Sequence, residues 1–236
     1  MPFPMSLMNK SSQPANCDYL NENWVWDGNS KPPEVELSSN YEAAYFYIDP
    51  VNESTGTVAV RGTKGFAEGE HYWEIIFLEP PVGTSVMVGV GTRKALLKSK
   101  RYQYINLIGQ DEESWGLSYK GQIWHNGISK QYCEPFFDSA TVIGVLLNLY
   151  RGSLTFYKNG VSLGEAFTGL CARNEPLYPL ISSTATETEL ELGVRTCRYL
   201  TLQEKCFSQI RNSLQSVDYV DNLPLPNIMK NQLREL

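Results

Sequence analysis

The chain has 236 residues, of which 42% are apolar, enough to build a hydrophobic core of domain size. Its formal net charge of −6 and pI near 5.1 argue against a nucleic acid partner, because such proteins neutralise phosphates with lysine and arginine. One basic cluster stands out, Arg93, Lys94, Lys98, Lys100 and Arg101. It lacks interleaved aromatic residues, so we interpret it as a solvated loop.

Residues 1–22 are rich in Ser, Asn, Gln and Pro without a hydrophobic period, which predicts a loose leader. The leader lacks the basic start and apolar run of a secretory signal, and no apolar stretch approaches the ~20 residues that span a bilayer. Five cysteines without CxxC spacing favour neither a disulfide framework nor a metal site. These features predict an intracellular protein, cytoplasmic or nuclear.

Residues 23–197 are a succession of short runs rich in Val, Ile, Tyr, Phe and Trp, separated by glycine turns. The clearest runs are HYWEIIFLE, SVMVGVGT, SWGLSY, QIWHNG, VIGVLLNLY, GSLTFYKNG and ELELGV. Asn159 and Gly160 both tolerate positive φ and therefore predict a β-hairpin turn. Since no long amphipathic helix interrupts the series, we predict an antiparallel β-sandwich.

The pattern changes in residues 198–236. From Tyr199 to Leu214 the chain has Leu202, Cys206, Ile210 and Leu214 at successive i+4 positions, which predicts an amphipathic helix. A second seam, Leu200, Phe207 and Leu214, lies beside the first. The combined apolar arc is too wide for one neighbouring element, so we expect this helix to have two.

Thr201 and Glu204 form a capping box that starts the helix. A polar connector, QSVDYVDN, then leads to LPLP at Leu223–Pro226, whose prolines predict an extended, polyproline-like path. The residues after LPLP suit a short helix. Because this tail is more apolar than a disordered segment, we expect something to bury it.

Catalytic motifs are absent from the sequence. His71 and His125 each lie in an aromatic strand motif, where a strand residue is the better interpretation. Glu112 and Glu113 suit a solvated turn. No nucleophile elbow, P-loop, HExxH or dinucleotide fingerprint occurs, so we predict a non-catalytic protein without cofactor or metal.

The ordered motifs GEHYWEI, VGVGT, ESWGLSY, GSLTFYKNG and LYPLIS resemble a SPRY (B30.2-like) domain. The segment after it resembles a SOCS box: TLQEKCFSQI matches the elongin-binding pattern, and LPLP matches the cullin-selecting element. Together they resemble the SPRY domain-containing SOCS box family, closest to its third, divergent branch. The resemblance implies a mainly β fold, with a SPRY sandwich at 23–197 and a small α-helical SOCS box at 198–236.

The resemblance also implies a function. Such a chain is the substrate-recognition adaptor of a cullin-RING ubiquitin ligase, which marks its target for proteasomal degradation. Elongin C, with elongin B, docks on Leu202, Cys206, Phe207 and Ile210. The fifth cullin, with its RING subunit, is selected by Leu223, Pro224, Leu225 and Pro226.

In this family the SPRY loops bind a short, asparagine-containing segment of the target. The corresponding positions here are Pro50, Val51, Asn52, Thr92, Tyr104, Leu107 and Gly109, and all of them except Asn52 match the better-studied branches. Three positions depart from the better-studied branches: Ile48 replaces an arginine, Asn52 an alanine and Ala185 a tryptophan. We therefore expect the same surface with a different peptide preference.

Other interpretations stay open for several of these residues. Tyr104 and Leu107 could be sandwich core, and Gly109 could serve only a turn. The helix around Cys206 could be a self-packed core helix. In that case the chain is a SPRY peptide-binding scaffold without a ligase role.

Overall fold

Residues 19–47, 53–138, 140–170, 175–214 and 217–235 are described by the computed structural model. The chain divides into two units, of which the first ends at Arg198 and the second comprises Tyr199–Leu236. The boundary predicted from the sequence lies one residue earlier, at residue 197. The strands described in the first unit are, in chain order, β1 Leu20–Asn21, β2 Val35–Leu37, β3 Ala43–Phe46, β4 Val58–Arg61, β5 Glu70–Phe77, β6 Val86–Gly91, β7 Ser114–Ser118, β8 Gln122–His125, β9 Ile128–Gln131, β10 Thr141–Asn148, β11 Ser153–Lys158, β12 Val161–Phe167, β13 Tyr178–Ser183 and β14 Thr188–Arg198.

These strands form two antiparallel sheets, and the predicted mainly β sandwich is confirmed. The first sheet has the order β12-β11-β10-β5-β14-β3-β2, with β1 paired to β14. The second has the order β4-β13-β6-β7-β8-β9. The predicted hairpin turn joins β11 to β12, with φ of 50° at Asn159 and 79° at Gly160. Both angles are positive, as a type I′ turn requires.

The core lies between the two sheets. In β5 every second residue is buried, His71, Trp73, Ile75 and Phe77, as expected for a strand with one face on the core. Side chains from the second sheet, among them Val88, belong to the same cluster. Alternating apolar residues therefore place the strands as the sequence predicts.

Strand β6 differs because it is buried on both faces. Its outer face is covered by the β6–β7 loop, residues 92–113, which places Ala95 and Ile108 over Met87 and Leu180. Gly116 permits this approach, since a Cβ there would lie 2.6 Å from Ile108 Cγ2. The long loop is thus a packed layer on the second sheet, and this packing fixes where its tip lies.

The end of the predicted leader belongs to the folded body, which corrects the boundary at residue 22. Leu20 in β1 pairs with Cys197 in β14, and Glu22 is buried. Glu22 lies between Lys64, at 2.6 Å from Nζ to Oε1, and His71, at 3.2 Å from Nδ1 to Oε2. Burial alone raises the pKa of Glu22, but the hydrogen bonds and charges of His71 and Lys64 outweigh it and lower that pKa.

The second unit contains helix α1, Leu202–Ser213, a 3₁₀ helix, Val217–Asn222, and helix α2, Asn227–Glu235. The capping box is confirmed: the Glu204 carboxylate accepts from the Thr201 N–H, and the Thr201 hydroxyl accepts from the Glu204 N–H. The prediction that QSVDYVDN is only a polar connector is wrong in part, because residues of this segment form the 3₁₀ helix and Val220 is buried. Among the described residues no helix is long and apolar enough to cross a membrane.

The ion pairs of Glu22 make stability depend on acid pH. Because the folded-state pKa lies below the ordinary value of 4.5, this contribution is present above pH 4.5 and is lost as pH falls through the folded-state pKa. We expect Glu22→Gln to lower the free energy of unfolding by about 1–3 kcal/mol at pH 7. The difference from the unaltered chain should shrink on acidification.

Urea unfolding followed by tryptophan fluorescence at a series of pH values measures this difference. Glu36→Gln, at an exposed position in β2, is the matched control and should change little. A constant gap between the Glu22→Gln and unaltered curves at all pH values would contradict the assignment.

Candidate functional site

Four positions singled out in the sequence, Ile48, Pro50, Val51 and Asn52, lie outside the described residues. They precede the segment 53–57, which leads into β4. The other four predicted peptide-binding residues all belong to the β6–β7 loop. The described structure therefore tests whether that loop approaches residues 53–57.

Tyr104 does approach this segment. Its hydroxyl donates to the carbonyl of Ser54 at 2.8 Å, and its side chain is 39% exposed. The Tyr102 N–H donates to the carbonyl of Thr55, and the Ser54 hydroxyl donates to the carbonyl of Thr184. Three loops thus meet at one end of the sandwich, in what we call the loop-end surface: residues 53–55, 101–104 and 184–185.

Tyr102 and its neighbour Arg101 were missed as site residues. Their signal lies in the sequence RYQY, where two tyrosines and a cation fall in a predicted loop. Ala185 also lies at this surface but is only 9% exposed. The backbone of Gly83 approaches it closely, since a Cβ added at Gly83 would lie 3.0 Å from the Cβ of Ala185. Burial limits what Ala185 offers to a ligand.

Thr92 is not part of the loop-end surface. It is fully buried, and its N–H donates to the carbonyl of Glu113 at 2.8 Å. Thr92 follows the end of β6 that pairs with Tyr178, whereas the loop-end surface adjoins the other end, where Val86 pairs with Ser183. A six-residue strand separates these ends by about 17 Å. The assignment of Thr92 to the peptide site is corrected to a structural role.

Leu107 and Gly109 are also structural in this conformation. Leu107 is 2% exposed. Gly109 has φ of +87°, and a Cβ there would lie 2.2 Å from the Trp124 carbonyl oxygen, so it serves a turn where backbones approach closely. Both positions support the loop without offering a side chain to a ligand. Of the seven predicted positions, Tyr104 alone is described and exposed.

One buried group in the described residues brings three possible metal ligands together. Atoms of Glu22, His71 and Cys197 lie within 4.8 Å of one another. Lys64 already neutralises Glu22, and the second ring nitrogen of His71 lies 2.8 Å from the Glu68 carbonyl oxygen. Ion pairing and hydrogen bonding therefore account for this cluster.

The apolar stripe of α1 is divided between two surroundings. Leu202 is 79% exposed and Cys206 is exposed, whereas Ile210 and Leu214 are partly buried against a small core. An α-helix advances about 100° per residue, so each i+4 step overshoots a full turn by about 40°. The stripe consequently winds from the surface at its start into the interior at its end.

Phe207 belongs to the interior of the second unit, which corrects its predicted role as an elongin-contacting residue. It is 7% exposed and forms the small core with Val220 and Leu233. Of the four predicted elongin-binding residues, Leu202 and Cys206 present their side chains to solvent. Phe207 and Ile210 instead hold α1 against the other elements of the second unit.

LPLP is not the extended segment that the prolines predict. The Leu225 N–H donates to the carbonyl of Leu223 at 2.8 Å, which closes a γ-turn around Pro224. Leu223 and Leu225 are partly buried against the small core, while Pro224 and Pro226 are exposed. The four predicted cullin-binding residues therefore divide into two inward leucines and two outward prolines.

Comparison with known proteins identifies the class. Residues 70–194 match the family model of the SPRY domain. The chain belongs to the SPRY domain family. The crystal structure of the TRIM65 PSpry domain is 25% identical with a TM-score of 0.58, covering 73% of this chain and 90% of that one. The SPRY domain of human HERC1, 15% identical with a TM-score of 0.52, covers 78% and 99% and shares the fold.

Relatives identified by sequence define the family more narrowly than the solved structures do. SPRY domain-containing SOCS box protein 3 of Xenopus laevis is 40% identical over 211 residues, and its Xenopus tropicalis counterpart is 39% identical. Each alignment covers 89% of this chain but 57% of the relative, so the chain spans little more than half their length. F-box/SPRY domain-containing protein 1 of Drosophila melanogaster is 36% identical over 175 residues, covering 71% and 65%. The resemblance to the third branch of the SPRY domain-containing SOCS box family is confirmed.

The division of α1 predicts different outcomes for two substitutions. Phe207→Ala removes a buried ring and should cost about 3 kcal/mol or more, enough to expose the amides of α1 and α2. Leu202→Ala removes a side chain that is already exposed and should leave the second unit folded. Hydrogen exchange read by mass spectrometry measures both. Equal protection in the two variants would contradict the assigned interior of this unit.

Proposed function

We propose that this protein is the substrate-recognition adaptor of an elongin and cullin-RING ubiquitin ligase. The SPRY unit binds a short, asparagine-containing segment of a target protein, and the second unit recruits the ligase. The chain itself performs no catalysis. Ubiquitin transfer and subsequent proteasomal degradation belong to the partners, within the cytoplasm or nucleus.

One observation carries the proposal: α1 exposes Leu202 and Cys206 while its other side is already packed. Leu202 is a large aliphatic side chain 79% exposed at the start of a capped helix. The small Cys206 beside it allows close approach of a partner while still burying an apolar atom. In a self-packed core helix, an exposed aliphatic residue beside a small cysteine would contribute nothing to packing. In a docking helix, the same pair would be buried by the partner. The frog relatives are named for a SOCS box.

The partner assignments follow the exposed groups. Elongin C, with elongin B, binds Leu202 as the anchor residue and Cys206 beside it. The fifth cullin binds the exposed prolines Pro224 and Pro226, and the γ-turn around Pro224 already holds this segment in place. A preformed turn loses less conformational entropy on binding than a flexible segment does.

For the substrate, the proposal places the target segment on the loop-end surface and residues 50–52. Tyr104 is the described contact, because its ring is partly exposed and its hydroxyl is fixed by Ser54. A tyrosine held in this way provides contact area at low entropic cost. Thr92, Leu107 and Gly109 act indirectly by holding the loop.

A second candidate is a SPRY peptide-binding scaffold that recruits no ligase. The small core formed by Phe207, Val220 and Leu233 favours it, because the tail partly packs on itself. It leaves the exposure of Leu202 without a purpose. The two candidates differ in what the second unit binds.

Leu202→Ala combined with Cys206→Ser tests the adaptor. We expect co-purification of elongins B and C from cells to fall by tenfold or more, because truncating a hot-spot anchor costs about 2–4 kcal/mol. Circular dichroism should show unchanged helix content. Ile228→Ala, which truncates an equally exposed aliphatic residue in α2, is the matched control and should retain both elongins. Unchanged elongin recovery in the double variant would favour the scaffold.

Asn52→Ala combined with Tyr104→Ala tests substrate binding. In cells with proteasomes inhibited, pull-downs should lose a set of target proteins while elongin recovery stays constant, because the second unit is untouched. Tyr41→Ala, at a tyrosine 48% exposed between β2 and β3, is the control. Identical protein sets from all three chains, measured by quantitative mass spectrometry, would refute the site.

A further inference from the structure

The basic cluster of the β6–β7 loop is divided by its ion pairs. Lys94 pairs with Glu175 at 2.7 Å, and Lys98 pairs with Glu34. Arg93, Lys100 and Arg101 have no acidic partner among the described residues. Arg93 lies at the start of the loop, next to the end of β6, whereas Lys100 and Arg101 lie at its tip, beside Tyr102 and Tyr104, in a chain whose net charge is −6.

The tip is a tight turn held in a costly conformation. The Gln103 N–H donates to the carbonyl of Lys100 at 3.0 Å, and Tyr102, at the third position of the turn, has φ of 61°. Glycine normally occupies such a position, and a tyrosine there costs about 1–3 kcal/mol. Hydrogen bonds from Tyr102 to Thr55 and from Thr57 to Gln103 hold it in place. The outcome is a tyrosine ring 62% exposed.

Arg101 is organised by that ring. Its Cζ lies 4.9 Å from the centroid of Tyr102. A cation–π contact at this distance favours stacking of the guanidinium on the ring, an arrangement in which the N–H groups at its edge can bind two oxygens at once. Arginine and tyrosine are also, with tryptophan, the residues enriched among those that dominate binding energy at interfaces.

We infer that Arg101, supported by Tyr102 and Lys100, binds an anionic side chain, a carboxylate or a phosphate, in the peptide recognised at the loop-end surface. This inference rests on the proposed function and adds the chemistry of one peptide position to it. The carboxylate or phosphate receives paired hydrogen bonds from the guanidinium, and the Lys100 ammonium adds charge. The neighbouring peptide residues then lie against Tyr102 and Tyr104.

An array of short synthetic peptides built around one asparagine tests the inference with the full chain. At each position apart from the asparagine, the array places aspartate, phosphoserine, serine or lysine in turn. We expect the unaltered chain to prefer an anion at one fixed position by about fivefold over serine. Arg101→Gln should abolish that preference while retaining binding to the asparagine core. Lys94→Gln, which removes a paired cation from the same loop, should keep it, and Arg101→Lys should restore only part of it.

The outcomes separate the two proposals. Preference for both anions indicates recognition of charge, and preference for phosphoserine alone indicates a phosphate site; either supports the inference. Binding without anion preference, or a preference that Arg101→Gln retains, overturns the inference and leaves the proposed function intact. Absence of any peptide binding overturns both. Competition by single-stranded poly(U) RNA but not by anionic peptide would assign the cations to a nucleic acid and also overturn the inference.

Discussion

The buried side chain of Thr57 is the constraint on which the candidate binding surface depends. Its hydroxyl donates to the Ile105 carbonyl at 2.8 Å and accepts from the Ile105 N–H at 2.9 Å, while its backbone bonds with Gln103 and Ser99. These bonds attach the far part of the β6–β7 loop to the residue before β4. Because Ile108 covers the outer face of β6, the loop is anchored along its length as well as at its tip. Exposed tyrosines can lie on such a loop without losing their position.

The second unit shows how one helix divides its surface between folding and recognition. Phe207 fills the small core, and the stripe beside it turns from Leu202 at the surface to Leu214 near that core. Asp221 then links the 3₁₀ helix to α2 through Arg234 and Lys230. The second unit has a small core, so few aliphatic residues are available to stabilise it. An aliphatic residue that is exposed there, Leu202, therefore indicates a binding role. Packing and docking residues are neighbours along the same helix, separated only by helical phase.

Much of the fold could be predicted because local patterns carry it. Alternation in HYWEIIF places β5, the Asn159–Gly160 pair supplies the hairpin between β11 and β12, and the Thr201–Glu204 box starts α1. The errors arose where long-range contacts override local preference. Glu22 lies in a polar segment, yet His71 and Lys64 draw it into the body. Val220 lies in a polar connector, yet Phe207 and Leu233 bury it.

The candidate site was less predictable for the same reason. Motif spacing identified Tyr104 but also Thr92, because both lie in one loop and sequence spacing does not say which end of a sheet each reaches. The sequence by itself determined the succession of strands, the capped helix and the family resemblance, since alternation, helical period and turn chemistry are local properties. Only the tertiary structure decided which cations are paired, which face of α1 is outward and which loops meet, because those depend on contacts between residues far apart in the chain.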